Sequence, residues 1–250
     1  MNIYSKFALF IGLASIFPLT ACQNDDAPTA DKDGYIMPTA VLLTVDDEIR
    51  AARADAEVTA SDLALTISSA SGDYTNTWKS ITEYDPKTKF EPGSYTISVA
   101  YGDNDSEGFD VPAYYDSHQV EVTKGKTTNV SLKAKLTKAM VSITYTDAFT
   151  SYISTYSANA TTAAQKAIDF AQGETRAAYI TPGTTSVNIS FATQSGKTDT
   201  QQVAQFQAKA HCHYHVKVDL ANSAGGAKIV VSVDDSLASQ DVIIDLKDLI

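Results

Sequence analysis

Apolar and polar residues alternate with a period of two along most of this chain. After the turn at Pro92-Gly93, Tyr95, Ile97, Val99 and Tyr101 fall on one side, and Thr96, Ser98 and Ala100 on the other. That is the pattern of a strand with one buried face. Val120 and Val122 continue it before a turn at Lys124-Gly125. Val130, Leu132, Ala134 and Leu136 follow, then Val141, Ile143 and Tyr145. Val187, Ile189 and Phe191 precede a turn at Ser195-Gly196, and further runs cover Cys212 to Leu220, Ile229 to Val233 and Val242 to Leu246. Thr, Val, Ile and Tyr supply many of these positions, as pleated surfaces favour. Short strands at this spacing predict an all-β fold of two antiparallel β-sandwich-like domains. The segment Asp147 to Gln172 is mixed, with room for a helical turn or two, and no helix is assigned to it. A boundary at Lys135 to Lys138 would give an N-terminal domain over 34–136 and a C-terminal domain over 137–250. One long sandwich would produce the same pattern.

The first residues follow another rule. Lys6 precedes an apolar run from Phe7 to Phe17. It is shorter than the roughly 20 residues that cross a bilayer and suits the core of an export signal. Leu19-Thr20-Ala21-Cys22 then resembles the lipobox of bacterial lipoproteins, in which the chain is cut before the cysteine and acyl chains are added to it. The resemblance implies a signal peptide over 1–21 and a lipidated Cys22 anchored in the outer membrane. Residues 22–33 are polar and acidic, and read as a flexible tether. Asp25-Asp26 is similar to the acidic export signal of surface-exposed Bacteroidetes lipoproteins, which implies that the chain faces the cell exterior; the plainer account is a merely acidic linker.

Composition narrows the function classes. Hydrophobic residues make up 44% of the chain, enough for a packed core. The net charge of -11 argues against a nucleic-acid partner, since phosphate needs basic side chains opposite it. Of the two cysteines only Cys212 remains once Cys22 is acylated, so no intrachain disulfide is expected.

The chemistry-bearing clusters are few. In His211-Cys212-His213-Tyr214-His215, alternation puts the three histidines on one strand face. His211 and His213 could converge on a metal, but the Cα of His215 would lie about 13 Å from that of His211, and zinc would need further ligands from another strand. The plainer account is a polar sheet face, because Tyr214, Val216, Val218 and Leu220 form the apolar one. Cys212 shares that apolar face and reads as an inert thiol. Asp103-Asn104-Asp105-Ser106-Glu107-Gly108 opens like a calcium loop, yet Tyr114 stands where the bidentate glutamate belongs. Gly125-Lys126-Thr127 and Gly196-Lys197-Thr198 lack the glycine five residues upstream that a phosphate loop requires. No nucleophile elbow or zinc-protease helix occurs. The sequence therefore nominates no catalytic residue and no cofactor. Trp78, Tyr84, Tyr101, Tyr114 and Tyr115 could offer an aromatic surface to a glycan, with Tyr114 and Tyr115 the favoured pair; core packing is the alternative.

The stretch Glu91 to Gly102, the segment Phe109-Asp110 with Pro112, Tyr114 and Tyr115, the turn Gly125-Lys126-Thr127, and the closing runs Ile229 to Leu237 and Val242 to Leu246 together resemble a Bacteroidetes lipoprotein family, domain of unknown function 4493. The architecture and lipobox are similar to those of the fimbrillins, two-domain β-sandwich precursors of surface filaments. The resemblance implies fold and brings no catalytic residues. It also draws attention to Arg50 and Arg53, because fimbrillin-like precursors are cut after arginine so that an N-terminal strand leaves, and Val41 to Val45 would be such a strand; the plainer account is an ordinary exposed loop. The resulting expectation is a non-enzymatic surface lipoprotein, an adhesion or fimbrillin-like assembly component whose partners are the outer membrane and other fimbrial or surface subunits. The alternative is a monomeric glycan- or protein-binding accessory lipoprotein.

Overall fold

A computed structural model describes residues 32–43, 58–193, 196–223, 226–234 and 240–245. The alternation becomes strands throughout. The first sheet contains β1 (Gly34–Leu43), β2 (Ala64–Ser69), β3 (Thr75–Trp78), β4 (Lys89–Phe90), β5 (Gly93–Tyr101), β7 (Tyr114–Val122) and β8 (Thr127–Leu136), in the order β3-β2-β5-β7-β8-β1-β4. Its inward positions form one apolar cluster that includes Ile36, Leu65, Ile67, Ile97, Val99, Leu132 and Leu136.

This single sheet folds into two layers because β7 and β8 part company. They pair only at Tyr114↔Leu136 and Tyr115↔Lys135. Beyond that corner the Asp116 carboxylate takes the place of a ladder carbonyl and accepts the Lys133 N–H at 2.6 Å. β8 instead runs parallel to β1 over nine residue pairs, from Tyr35↔Thr127 to Leu43↔Lys135. β1 meets β4 only at Gly34 and Tyr35, so its outer edge from Ile36 onward has no strand partner among the described residues. Pro38 is tolerated in such a strand because its missing N–H can face the unpaired edge. Gly34 is required by close approach: a Cβ there would lie 2.6 Å from the Thr123 carbonyl oxygen.

The rest of the chain builds two further sheets. β10 (Ile153–Thr161), β11 (Ala167–Phe170), β13 (Gly183–Thr193) and β14 (Thr198–Ala208) form the order β11-β10-β13-β14. β9 (Ala139–Tyr145), β12 (Ala178–Ile180), β15 (His213–Ser223), β16 (Gly226–Asp234) and β17 (Gln240–Asp245) join β6 (Gly108–Phe109) in the order β17-β16-β15-β9-β12-β6. A second apolar cluster, with Val141, Ile143, Phe170, Val187, Ile189, Val216 and Ile229, lies between them. The all-β, sandwich-like fold is therefore as the alternation predicts. Two parallel pairs, β1–β8 and β9–β15, depart from the purely antiparallel expectation. Within the mixed segment, the six-residue helix α1 (Asp147–Tyr152) starts at Thr146, whose hydroxyl accepts the Phe149 N–H, and β10 and β11 follow.

The two halves exchange material. The chain leaves the first sheet at Leu136 and enters the third at Ala139. β6 comes from the loop between β5 and β7, yet it pairs with β12 in the third sheet. Conversely, Met140, Ala177 and Tyr179 pack into the first cluster.

Candidate functional site

The residues nominated from sequence land in different places. Cys22, Arg50 and Arg53 lie outside the described residues. Tyr114 and Tyr115 do not make one exposed platform: neighbours on a strand point to opposite faces, so Tyr114 is 1% exposed in the core and Tyr115 is 50% exposed outside. Tyr84 is also buried, donating its hydroxyl to the Ile36 carbonyl at 2.9 Å, with Trp78 edge-on to its ring at 5.0 Å. Tyr101 sits 6.4 Å from the Tyr114 ring.

The histidine row is shorter than alternation suggests. β15 begins at His213, and His211 stands in the preceding turn with φ 66°, its N–H donating to the Lys138 carbonyl. His213 and His215 do share a face, with ring centroids 3.8 Å apart. Their facing nitrogens converge on one hydroxyl, Ser142 Oγ of β9, which lies 3.0 Å from His213 Nε2 and 3.1 Å from His215 Nδ1. Burial lowers the His213 pKa to about 4, and His215 beside it acts in the same direction. His213 is therefore a neutral, hydrogen-bonded ring at neutral pH. Among the described residues no three metal-ligating side chains come together. Cys212 is partly buried against the second apolar cluster.

The acidic loop at 103–108 holds a cluster that alternation does not reveal. Gly102, at φ 73°, closes the loop against Pro112, whose carbonyl oxygen leaves no room for a Cβ. Asp103 turns its carboxylate onto the loop itself, accepting from the Asp105 N–H at 3.0 Å and the Ser106 hydroxyl at 2.7 Å. Glu107, 5% exposed, points into the second half. It accepts the Thr162 hydroxyl at 2.7 Å and the Thr181 N–H at 2.6 Å. Lys138, 1% exposed, threads back between the halves and donates to the carbonyls of Ser106 and Val111. Burial lowers the Lys138 pKa, while Asp103 and Glu107 pull it up. Lys166 donates to the Glu107 carbonyl at 2.6 Å. Nearby, Arg176 stacks 4.7 Å over Phe109 and bridges Asp110 and Glu174. Its hydrogen bonds hold the Glu174 carboxyl down at about 2.

Among the described residues, two surfaces are candidates for recognition. One is a shallow hollow of about 460 Å³ on the second sheet, lined by Thr and Ser hydroxyls such as those of Thr155, Ser190 and Thr200 together with Asp199, Tyr156 and Phe191. The other is the outward face of β1. Its burial alternates, yet both sides are apolar: Ile36 is sealed inside, while Met37, Val41 and Leu43 are 40%, 48% and 38% exposed. With Tyr115, they are the large hydrophobic side chains most open to solvent among the described residues.

Among solved structures, the chain has distant similarity to fimbrial proteins of two bacteria. A fimbrial assembly protein from Parabacteroides distasonis is 12% identical, with TM-score 0.46, covering 84% of this chain and 99% of its own. The fimbrial anchor protein Mfa2 from Porphyromonas gingivalis is 7% identical, with TM-score 0.43, covering 81% and 98%. No curated protein matches the chain in sequence. The model of the family described as domain of unknown function (DUF4493) matches residues 33–248, nearly the whole chain after the acidic N-terminal stretch, and the protein belongs to that family.

Proposed function

We propose that this chain is a non-enzymatic cell-surface lipoprotein, anchored in the outer membrane through acylated Cys22 and acting in adhesion or as a fimbrillin-like assembly component. The observation that carries the reading is the situation of β1. It is joined to the body by one parallel ladder to β8 and two residue pairs to β4. Arg50 and Arg53 follow it, before the next described residue, Val58. Cleavage after either arginine would free β1 without cutting another described strand. Its departure would uncover the edge of β8 and the site of Ile36, a slot for an extended segment from another subunit. The units 34–136 and 137–250 are read as the two domains, with the loop carrying Glu107 inserted from the first into the second.

The hydroxyl-lined hollow on the second sheet favours one other reading, a monomeric accessory lipoprotein that binds a polar ligand such as a glycan. Protease added to intact cells, compared with lysed cells, separates the two. Loss of the protein with trimming near Arg50 or Arg53 and an SDS-resistant ladder is expected for the assembly component. Loss without trimming or ladder favours the monomeric binder. Full protection on intact cells refutes both surface readings.

A further inference from the structure

We infer that the outward face of the β8-β1-β4 layer is a docking surface for an anionic lipid bilayer. The outward positions of these strands are Thr127, Asn129, Ser131, Lys133 and Lys135 on β8, Tyr35, Met37, Thr39, Val41 and Leu43 on β1, and Lys89 on β4. None is acidic, in a chain of net charge -11. Register joins the face to its neighbours: Ala100, Tyr115, Lys135 and Leu43 form one row across four strands. Val41 and Lys133 form the next row on the β1–β8 side. The acidic side chain at that corner, Asp116, is occupied by the Lys133 N–H and by His118 Nε2.

The composition of the face selects the occupant. Aliphatic side chains with a tyrosine and lysines among them match a headgroup interface, where apolar groups enter the acyl boundary and cations meet phosphate. A second copy of the chain, docked face to face, would set lysines against lysines. An acidic body near an anionic surface is turned by repulsion until its least acidic side faces that surface. The tether also places this face close to a bilayer. Eleven residues separate Cys22 from Gly34, a span of at most about 40 Å when extended, and Gly34 begins the strand that carries the face. Only this last point rests on the lipid-anchor reading; the face is that of the uncleaved chain, since cleavage after Arg50 or Arg53 would remove β1 with Met37, Val41 and Leu43.

The test uses the mature chain from position 22 onward carrying Cys22→Ser, which lacks the apolar run Phe7 to Phe17 and cannot be acylated, in cosedimentation with phosphatidylglycerol–phosphatidylcholine vesicles and with phosphatidylcholine vesicles alone. Partition into the anionic vesicles, weakened by salt, is expected. Each lysine contributes about fivefold to binding at an anionic surface, so Lys133→Gln with Lys135→Gln should lower the partition about thirtyfold. Val41→Ser with Leu43→Ser should weaken it as well. All four positions are exposed, so unchanged circular dichroism and melting are the folding control. Equal binding to both vesicle types, or a partition unmoved by the lysine pair, overturns the proposal. So does binding of a soluble acidic protein without any partition into vesicles, which would assign the face to a protein partner. Mass spectrometry of Cys22 in the wild-type chain reports the anchor separately, so failure of one reading does not imply failure of the other.

Discussion

Glu107→Ala tests whether the two halves are thermodynamically one unit. The carboxylate is 5% exposed and makes two hydrogen bonds into the second half, to the Thr162 hydroxyl and the Thr181 N–H. It is also among the charges that favour the ammonium of buried Lys138. Truncation leaves a buried N–H and a hydroxyl without their acceptor, each costing about 1–3 kcal/mol. It also weakens the compensation of a buried cation, a class of change that costs about 3–5 kcal/mol when the partner charge is lost outright. These terms overlap, and a total of roughly 3–5 kcal/mol is expected. For a chain of this length that corresponds to a fall in Tm of roughly 6–20 °C. Glu107→Gln keeps an acceptor for the Thr181 N–H and an amide for the Thr162 oxygen, so it should cost about half as much. The assay is denaturant unfolding followed by two probes. Trp78, the single tryptophan, reports the first half; far-UV circular dichroism reports both. In the wild-type chain the two curves should coincide, as they do for a cooperative unit. In Glu107→Ala both should move to lower denaturant. A loss below about 1 kcal/mol, or a circular dichroism curve that shifts while the Trp78 curve stays in place, refutes the coupling.

Two other perturbations follow from single groups. The folded pKa of His213, about 4, lies below the ordinary value of 6.5, so between those values the unfolded chain binds more protons. Stability from this group is complete above about pH 6.5 and is lost as pH falls toward 4. Melting profiles across that window should show the loss, and His213→Gln should flatten it; an unchanged slope would contradict the burial argument. The Tyr145 hydroxyl is buried without a hydrogen-bond partner, between Phe149 and Tyr156. Tyr145→Phe should therefore be neutral or stabilising by up to about 1 kcal/mol, where a hydroxyl that mattered would register as a loss in the same denaturation assay.

The strands are legible because each long one buries one face, and a period of two is the direct trace of that burial. Tyr95, Ile97 and Val99 are all at most 6% exposed, as their spacing requires. Strand direction leaves no such trace, so the parallel pairing of β1 with β8 and of β9 with β15 is not written in the alternation. Strands of two or three residues, such as β6 and β12, are too short to show a period. The fate of Tyr114 is only partly legible: it has the same parity as buried Val122, but Asp116 and exposed His118 interrupt the alternation between them. The polar cluster was not readable. Pattern reading sends charged side chains outward, and the burial of Lys138 depends on the carbonyls of Ser106 and Val111, brought from 32 and 27 residues away by the fold. His211 was misplaced by one local event, a left-handed residue that ends the alternation just before β15 starts.

β1 remains unusual by the same logic. A sheet strand with water on one side should be polar on that side. β1 is apolar on both: Ile36, Ala40 and Leu42 pack toward the first core, while Met37, Val41 and Leu43 face outward. An exposed edge strand of this kind is an aggregation hazard unless its edge is blunted. Pro38 supplies a blunt, since it removes a donor from the strand. Blunting the edge does nothing for the face, and the outward apolar stripe survives with lysines of β8 beside it. Selection against uncontrolled strand pairing therefore accounts for Pro38 but not for Met37, Val41 and Leu43. Serine or threonine there would have kept the strand and removed the hazard. Their presence on the outward side fits a face with an occupant, and it makes Val41 and Leu43 the positions where a change should alter binding while leaving the fold intact.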